Sequence, residues 1–235
     1  MKKDKICFYK AKFIIIGEAN VGKTNFVHRF AKGEFNKEYA ITLGIDFLSH
    51  NVQIDDKLFN LELWDTAGSE KFRSISKGYY KNTVCAIIMY DITEERSFNS
   101  VKMWIEDCKS YTSKNTDMIL IGNKCDLTQV RKISAEEGKN LAEENEMQFY
   151  ETSALTGENV EKVFMDECAI IAKKMEEGKF NFDEEEGLKK CYTTRDMIIN
   201  KRSLSNISDK NSKNSKFKLK NKSEHIQKRK KRKCC

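Results

Sequence analysis

The segment FIIIGEANVGKT, Phe13 to Thr24, decides how this chain reads. Phe13–Ile16 is a short, unbroken apolar run closed by Gly17, the pattern of a parallel strand buried on both faces. Gly17 to Thr24 then fits G-x-x-x-x-G-K-T, and a helical pattern follows over Lys23–Ala31. Outside such a context the same letters would be an ordinary glycine turn. Between a strand and a helix, the loop's backbone N–H groups can cradle a phosphate at a helix N-terminus, where the dipole favours anions. Gly17, Glu18, Ala19, Asn20, Val21, Gly22, Lys23, Thr24 and Asn25 are therefore expected to bind phosphate. Lys23 would reach the β- and γ-phosphates, and Thr24 would ligate Mg²⁺.

Working outward, apolar runs alternate with helical patterns. FLSHNVQI (47–54) and KLFNLELW (57–64) alternate apolar and polar residues around Asp55–Asp56, which predicts an antiparallel hairpin. Val84–Tyr90 and Met118–Gly122 read as buried strands, and MQFYETSA opens with a last short one. Glu95–Tyr111, Ala135–Asn145 and Glu158–Met175 carry helical spacing. This order predicts an α/β fold, a mixed and mostly parallel six-stranded sheet between layers of helices. Ligands of such sheets sit outside the carboxyl ends of the strands.

Three more motifs fall at those ends. In WDTAGSEKF, Asp65 can hold Mg²⁺ through water, and Gly68 can bring its N–H to a γ-phosphate. A turn with a capping aspartate has the same letters. In NKCD, the Asp126 carboxylate can accept two parallel hydrogen bonds from the N1–H and 2-amino group of guanine. Adenine lacks that donor pair, so the site would reject it. Asn123 and Lys124 would brace this loop. In ETSA, beside Ser153, the Ala154 N–H can meet the guanine O6. Each tetrapeptide is a weak signal alone; four in order at strand ends are a strong one.

With these motifs, ITLGIDF (41–47), KLFNLELWDTAG, KFRSI, GYYKNT and IIMYDIT make the chain resemble the Rab family of small GTPases in the Ras superfamily. The similarity runs from about Lys12 to Met175. It implies a three-layer P-loop NTPase fold of the Ras-like kind, with a GTPase domain over 1–177 and a tail over 178–235. It also implies that Phe35 packs against guanine, that Tyr39 covers the phosphates, and that Thr42 completes the Mg²⁺ shell with Thr24 and Asp65. Ile41, Gly44, Ile45, Phe47, Trp64 and Tyr79 are the implied effector surface. For the three aromatic residues, ordinary core packing is the alternative. The function implied is a GTP/GDP switch in vesicle trafficking. Its implied partners are an exchange factor, a TBC-type activating protein, an escort protein, a GDP dissociation inhibitor and trafficking effectors.

Three positions depart from the family pattern. Asn20 stands where many relatives have glycine, Leu155 replaces a lysine beside Ala154, and Ser69 replaces glutamine. The last bears on catalysis with Lys23 and Thr42. Glutamine positions the attacking water, and serine is two heavy atoms shorter. Slow intrinsic hydrolysis is expected, with turnover dependent on an activating protein that supplies its own arginine and glutamine. The alternative is a GTP-loaded scaffold with negligible turnover.

The charge of +7 is unevenly spread. Residues 200–235 hold fourteen Lys/Arg and two Asp/Glu, a balance of +12, which leaves −5 for the rest. Proline is absent, and six of the eight cysteines are scattered without C-x-x-C spacing, which argues against zinc or a disulfide framework. No apolar run approaches the roughly 18–20 residues that span a bilayer, and a signal peptide is not expected. From Lys201 the Lys, Asn and Ser content is that of a disordered segment. The stretch KRKKRKCC invites a nuclear-import or nucleic-acid reading. The adjacent Cys234 and Cys235 instead resemble a double geranylgeranylation site. Two lipid chains beside six basic residues would anchor the protein to an anionic cytoplasmic leaflet, with a cytosolic pool and no nucleic-acid partner.

Overall fold

The computed structural model describes residues 7–37, 42, 44–68, 77–180 and 187–191. Six strands form the path β2-β3-β1-β4-β5-β6. They are β1 (Cys7–Gly17), β2 (Ile45–Ile54), β3 (Lys57–Thr66), β4 (Cys85–Asp91), β5 (Asp117–Asn123) and β6 (Gln148–Thr152). Only β2 and β3 pair antiparallel along this path, as the early hairpin predicts. The described helices are α1 (Lys23–Lys32), α2 (Glu95–Asn99), α3 (Val101–Tyr111), α4 (Ala135–Glu144) and α5 (Val160–Glu176).

The apolar run of β1 is continuous because the sheet is covered twice. Phe13 and Ile15 face a core shared with Phe26, Phe30 and Phe164 of α1 and α5. Ile14 and Ile16 face a second core built with Trp104 and Ile105 of α3 and Leu141 of α4. The strand begins earlier than its apolar run, at Cys7, because it pairs with β3 from Cys7↔Lys57 to Ile15↔Asp65.

Two features differ from the sequence expectation. The helix expected over Glu95–Tyr111 is interrupted at Ser100, whose hydroxyl donates to the Arg96 carbonyl at 3.0 Å and competes with the backbone ladder. A seventh strand, β7 (Leu188–Cys191), lies in the region assigned to the tail and pairs antiparallel with Phe8–Ala11 of β1. Since β4 pairs with β1 only from Phe13 onward, the early part of β1 leaves that flank open for β7. Leu188 is fully buried there. Leu188 and Cys191, at the two ends of a four-residue strand, make no periodic signal.

Candidate functional site

The sequence motifs, far apart along the chain, wall one cleft of about 400 Å³. Ala19, Asn20, Gly22 and the first residues of α1, Lys23, Thr24 and Asn25, line it with Phe35, Thr42, Gly68, Asn123, Lys124, Asp126, Ala154 and Leu155. At its phosphate end, α1 starts after Gly22 in the left-handed region, and no side chain caps it. The first-turn N–H donors, which a helix cannot satisfy internally, are left for an anion. Asn20 also adopts a positive φ of 66°, a conformation asparagine tolerates better than most residues. That accounts for its standing in for glycine.

Lys23 is buried, and its Nζ donates to the carbonyls of Gly17 at 2.9 Å and Glu18 at 2.7 Å. Burial lowers its pKa to about 8, opposed by the charges of Asp65 and Glu18. An anion beside it would favour the charged form.

Three oxygen donors meet next to it. Thr24 Oγ1 donates to Asp65 Oδ2 at 2.5 Å and lies 2.9 Å from Thr42 Oγ1. Burial raises the Asp65 pKa to about 6, against the hydrogen bond from Thr24 and the charge of Lys23. Its Oδ1 is buried with no hydrogen-bond partner among the described residues. Hard oxygen ligands with an unsatisfied buried carboxylate oxygen fit Mg²⁺. The side chain of Asn25 is engaged elsewhere: it donates to the Asn36 carbonyl at 2.9 Å and accepts from the Asn36 N–H at 3.0 Å. Any phosphate contact of Asn25 falls to its backbone.

At the base end, Asn123 is buried, and its Oδ1 accepts from Thr152 Oγ1 at 3.1 Å and from the Ala154 N–H at 3.3 Å. Asp126 Oδ1 accepts from Ser153 Oγ at 2.5 Å, which orients the carboxylate. Lys124 has a positive φ of 66° and pairs with Asp91 Oδ2 at 2.5 Å. Asp91 Oδ1 is itself held by the Thr93 N–H and hydroxyl at 2.8 and 2.7 Å. Leu155 stands half-exposed at the rim.

The Ras family model matches residues 12–173. Rab-2B of Dictyostelium discoideum is 44% identical over 165 residues, 70% of this chain and 82% of the relative. RABA6b of Arabidopsis thaliana is 41% identical over 162 residues, 69% of this chain and 71% of the relative. Rab-4 of Dictyostelium discoideum is 41% identical over 175 residues, 74% and 85% of the two chains.

The chain belongs to the Ras family of small GTPases, in its Rab branch. The fold is accordingly the Ras-like P-loop NTPase fold, and the protein is a GTP-binding switch of the GTPase class.

In this Rab-family chain an aromatic cluster joins β2, β3 and the segment at Tyr79. Phe47 is 50% exposed and meets Trp64 edge-on at 5.7 Å, while Trp64 and Tyr79 lie 5.6 Å apart. Lys12 supports it, with Nζ 4.4 Å from the centre of a Trp64 ring and donating to the Tyr79 and Lys81 carbonyls at 2.5 and 2.8 Å. The Gly44 carbonyl accepts from the Ala67 N–H at 2.8 Å, and Ile45 pairs with Thr66, so the chain entering β2 is stitched to the chain leaving β3. Tyr39, Ile41, Ser69, Cys234 and Cys235 lie outside the described residues. The sequence reading missed Asp91 and Thr152. The aspartate of IIMYDIT, at a strand end beside the cleft, was the available signal for the first.

Proposed function

We propose that this protein is a Rab-type switch that recruits membrane-trafficking effectors while GTP is bound. The observation that carries the reading is the meeting of Thr24, Thr42 and Asp65 beside the buried Lys23. Thr24 and Thr42, with Asp65 acting through water, would hold Mg²⁺, which when bound neutralises charge on the β- and γ-phosphates. Lys23 and the loop N–H groups bind the same phosphates, and Gly68 offers its N–H to the γ-phosphate. Asp126, Ala154 and Phe35 read the guanine. Loss of the γ-phosphate removes the partner that holds Thr42 and Gly68 in place, and the surface of Phe47, Trp64 and Tyr79 changes with them. The exposure of Phe47 supports its role as a docking surface.

Ser69 supports slow intrinsic hydrolysis and dependence on a TBC-type activating protein. The same residue favours the second reading, a GTP-loaded scaffold with negligible turnover. An exchange factor, an escort protein and a GDP dissociation inhibitor complete the cycle. Lipid chains on Cys234 and Cys235, beside the basic residues 228–233, place the switch on the cytoplasmic face of endomembranes. Imaging the tagged full chain and its Cys234→Ser/Cys235→Ser variant tests this. Membrane localisation that becomes diffuse in the variant is expected; unchanged localisation would overturn the anchoring.

A further inference from the structure

Arg29 lies on α1 and is not a wall of the nucleotide cleft. Its guanidinium nevertheless reaches two segments that are. Nε donates to the Ala154 carbonyl at 2.8 Å and Nη2 to the Leu155 carbonyl at 2.7 Å. Nη1 donates to the carbonyl of Gly33 at 2.8 Å. Gly33 is the left-handed cap of α1, two residues before Phe35. The loop also wraps the aliphatic stem closely: a Cβ on Gly157 would stand 3.7 Å from Arg29 Cδ.

A planar guanidinium that spreads its donors over three carbonyls fixes directions as well as distances. The peptide between Ala154 and Leu155 is trans, so its N–H points opposite to its carbonyl. With that carbonyl turned to Arg29, the Leu155 N–H faces the other way. Both residues line the cleft, so the edge turned from Arg29 is the one offered to a ligand.

We propose that Arg29 is a positioning residue for guanine recognition. It holds the Ala154–Leu155 peptide from behind, so that the Leu155 N–H meets the 6-oxo group. Through Gly33 it keeps Phe35 in register with that loop. The edge of the base and its face are thereby read by one braced unit. The proposal rests on the reading of Asp126, Ala154 and Phe35 as base contacts. It goes beyond that reading in naming a residue that touches no part of the nucleotide and sets how selectively the base is held.

The test compares release of three diphosphates from the full chain with Mg²⁺ present. GDP carries every group. 6-Thioguanosine diphosphate keeps N1–H and the 2-amino group but has a larger, weaker acceptor at position 6. Inosine diphosphate keeps the 6-oxo group and lacks the 2-amino group. Arg29→Gln should release GDP roughly tenfold faster. It should also lose most of the preference for GDP over the 6-thio nucleotide, while the preference for GDP over inosine diphosphate, set by Asp126, is kept. Arg29→Lys keeps the charge but not the fork and should fall between wild type and Arg29→Gln, which guards against a fold defect in the glutamine variant. Two unchanged preferences, or two that fall together, would reduce Arg29 to a general brace and overturn the proposal. If wild type does not distinguish GDP from its 6-thio analogue, the base contacts themselves are wrong, and the proposal goes with them.

Discussion

The side-chain amide of Asn123 donates to the Val21 carbonyl at 2.8 Å, across 102 residues of chain. One bond thus joins the NKCD loop to the GEANVGKT loop, the two proposed to meet the base and the phosphates. Asn123→Ala would leave that buried carbonyl unpaired and remove the acceptor of Thr152 and Ala154. A buried polar group left without its partner costs about 1–3 kcal/mol. GDP release should therefore be about tenfold faster or more, measured by chasing a fluorescent GDP analogue.

Gly68 approaches the phosphate loop so closely that a Cβ would stand 2.3 Å from the Glu18 carbonyl carbon and 2.4 Å from the Ala19 nitrogen. Both atoms are backbone and cannot swing aside. Gly68→Ala should weaken GTP binding more than GDP binding, because Gly68 is the proposed contact of the γ-phosphate. Titration of both nucleotides with Mg²⁺ checks this; an equal effect on the two would assign Gly68 to general packing.

Ser69→Gln should raise single-turnover hydrolysis of bound GTP by about tenfold to a hundredfold, the scale set by misplacing a reacting group by about 1 Å. Equal rates in the two proteins would show that the serine is not what limits intrinsic turnover.

Glu167 is fully buried and accepts from Gln148 Nε2 at 2.8 Å, with the Asp117 carboxylate beside it and Lys174 paired to Asp117. Burial first, and then Asp117, hold its pKa well above the ordinary 4.5. The folded state therefore keeps a proton that the unfolded chain gives up. Stability from this group is full below the unfolded value and is lost as pH rises through the neutral range. Glu167→Gln, which stays neutral, should flatten that decline. Urea unfolding of the GDP-bound protein between about pH 5 and about pH 8 measures the difference.

Strand β7 makes the start of the tail part of the fold. Leu188 is fully buried, and a Cβ on Gly187, whose φ is 75°, would stand 2.1 Å from the Asn82 carbonyl oxygen. A chain ending after Cys191 should melt several degrees higher than one ending after Glu177. Leu188→Ala should cost about 2–5 kcal/mol. Equal melting of the two truncations would place the boundary at 177.

Much of the site was legible because its chemistry is written in short contiguous words. GEANVGKT places N–H donors, a lysine and a hydroxyl within one turn, and strand–loop–helix order supplies the rest. The alternation around Asp55–Asp56 likewise predicts the β2–β3 hairpin, since a local turn sets its register. Elsewhere the signal is not local. Nothing in the residues around Arg29 says that it will meet Ala154 and Leu155, and nothing near Asp91 announces Lys124.

By itself, the sequence determined that this chain folds as strand–helix repeats and carries a guanine-nucleotide motif set with serine in place of glutamine. Only the tertiary structure decided which groups brace that set: Asn123 on Val21, Asp91 on Lys124, Arg29 on the Ala154–Leu155 peptide, and β7 on the open flank of β1. The division has one physical cause. Backbone donors and side chains within a turn of one another are positioned by local geometry. Hydrogen bonds between distant segments exist only once the order and register of the sheet have brought their strand ends together.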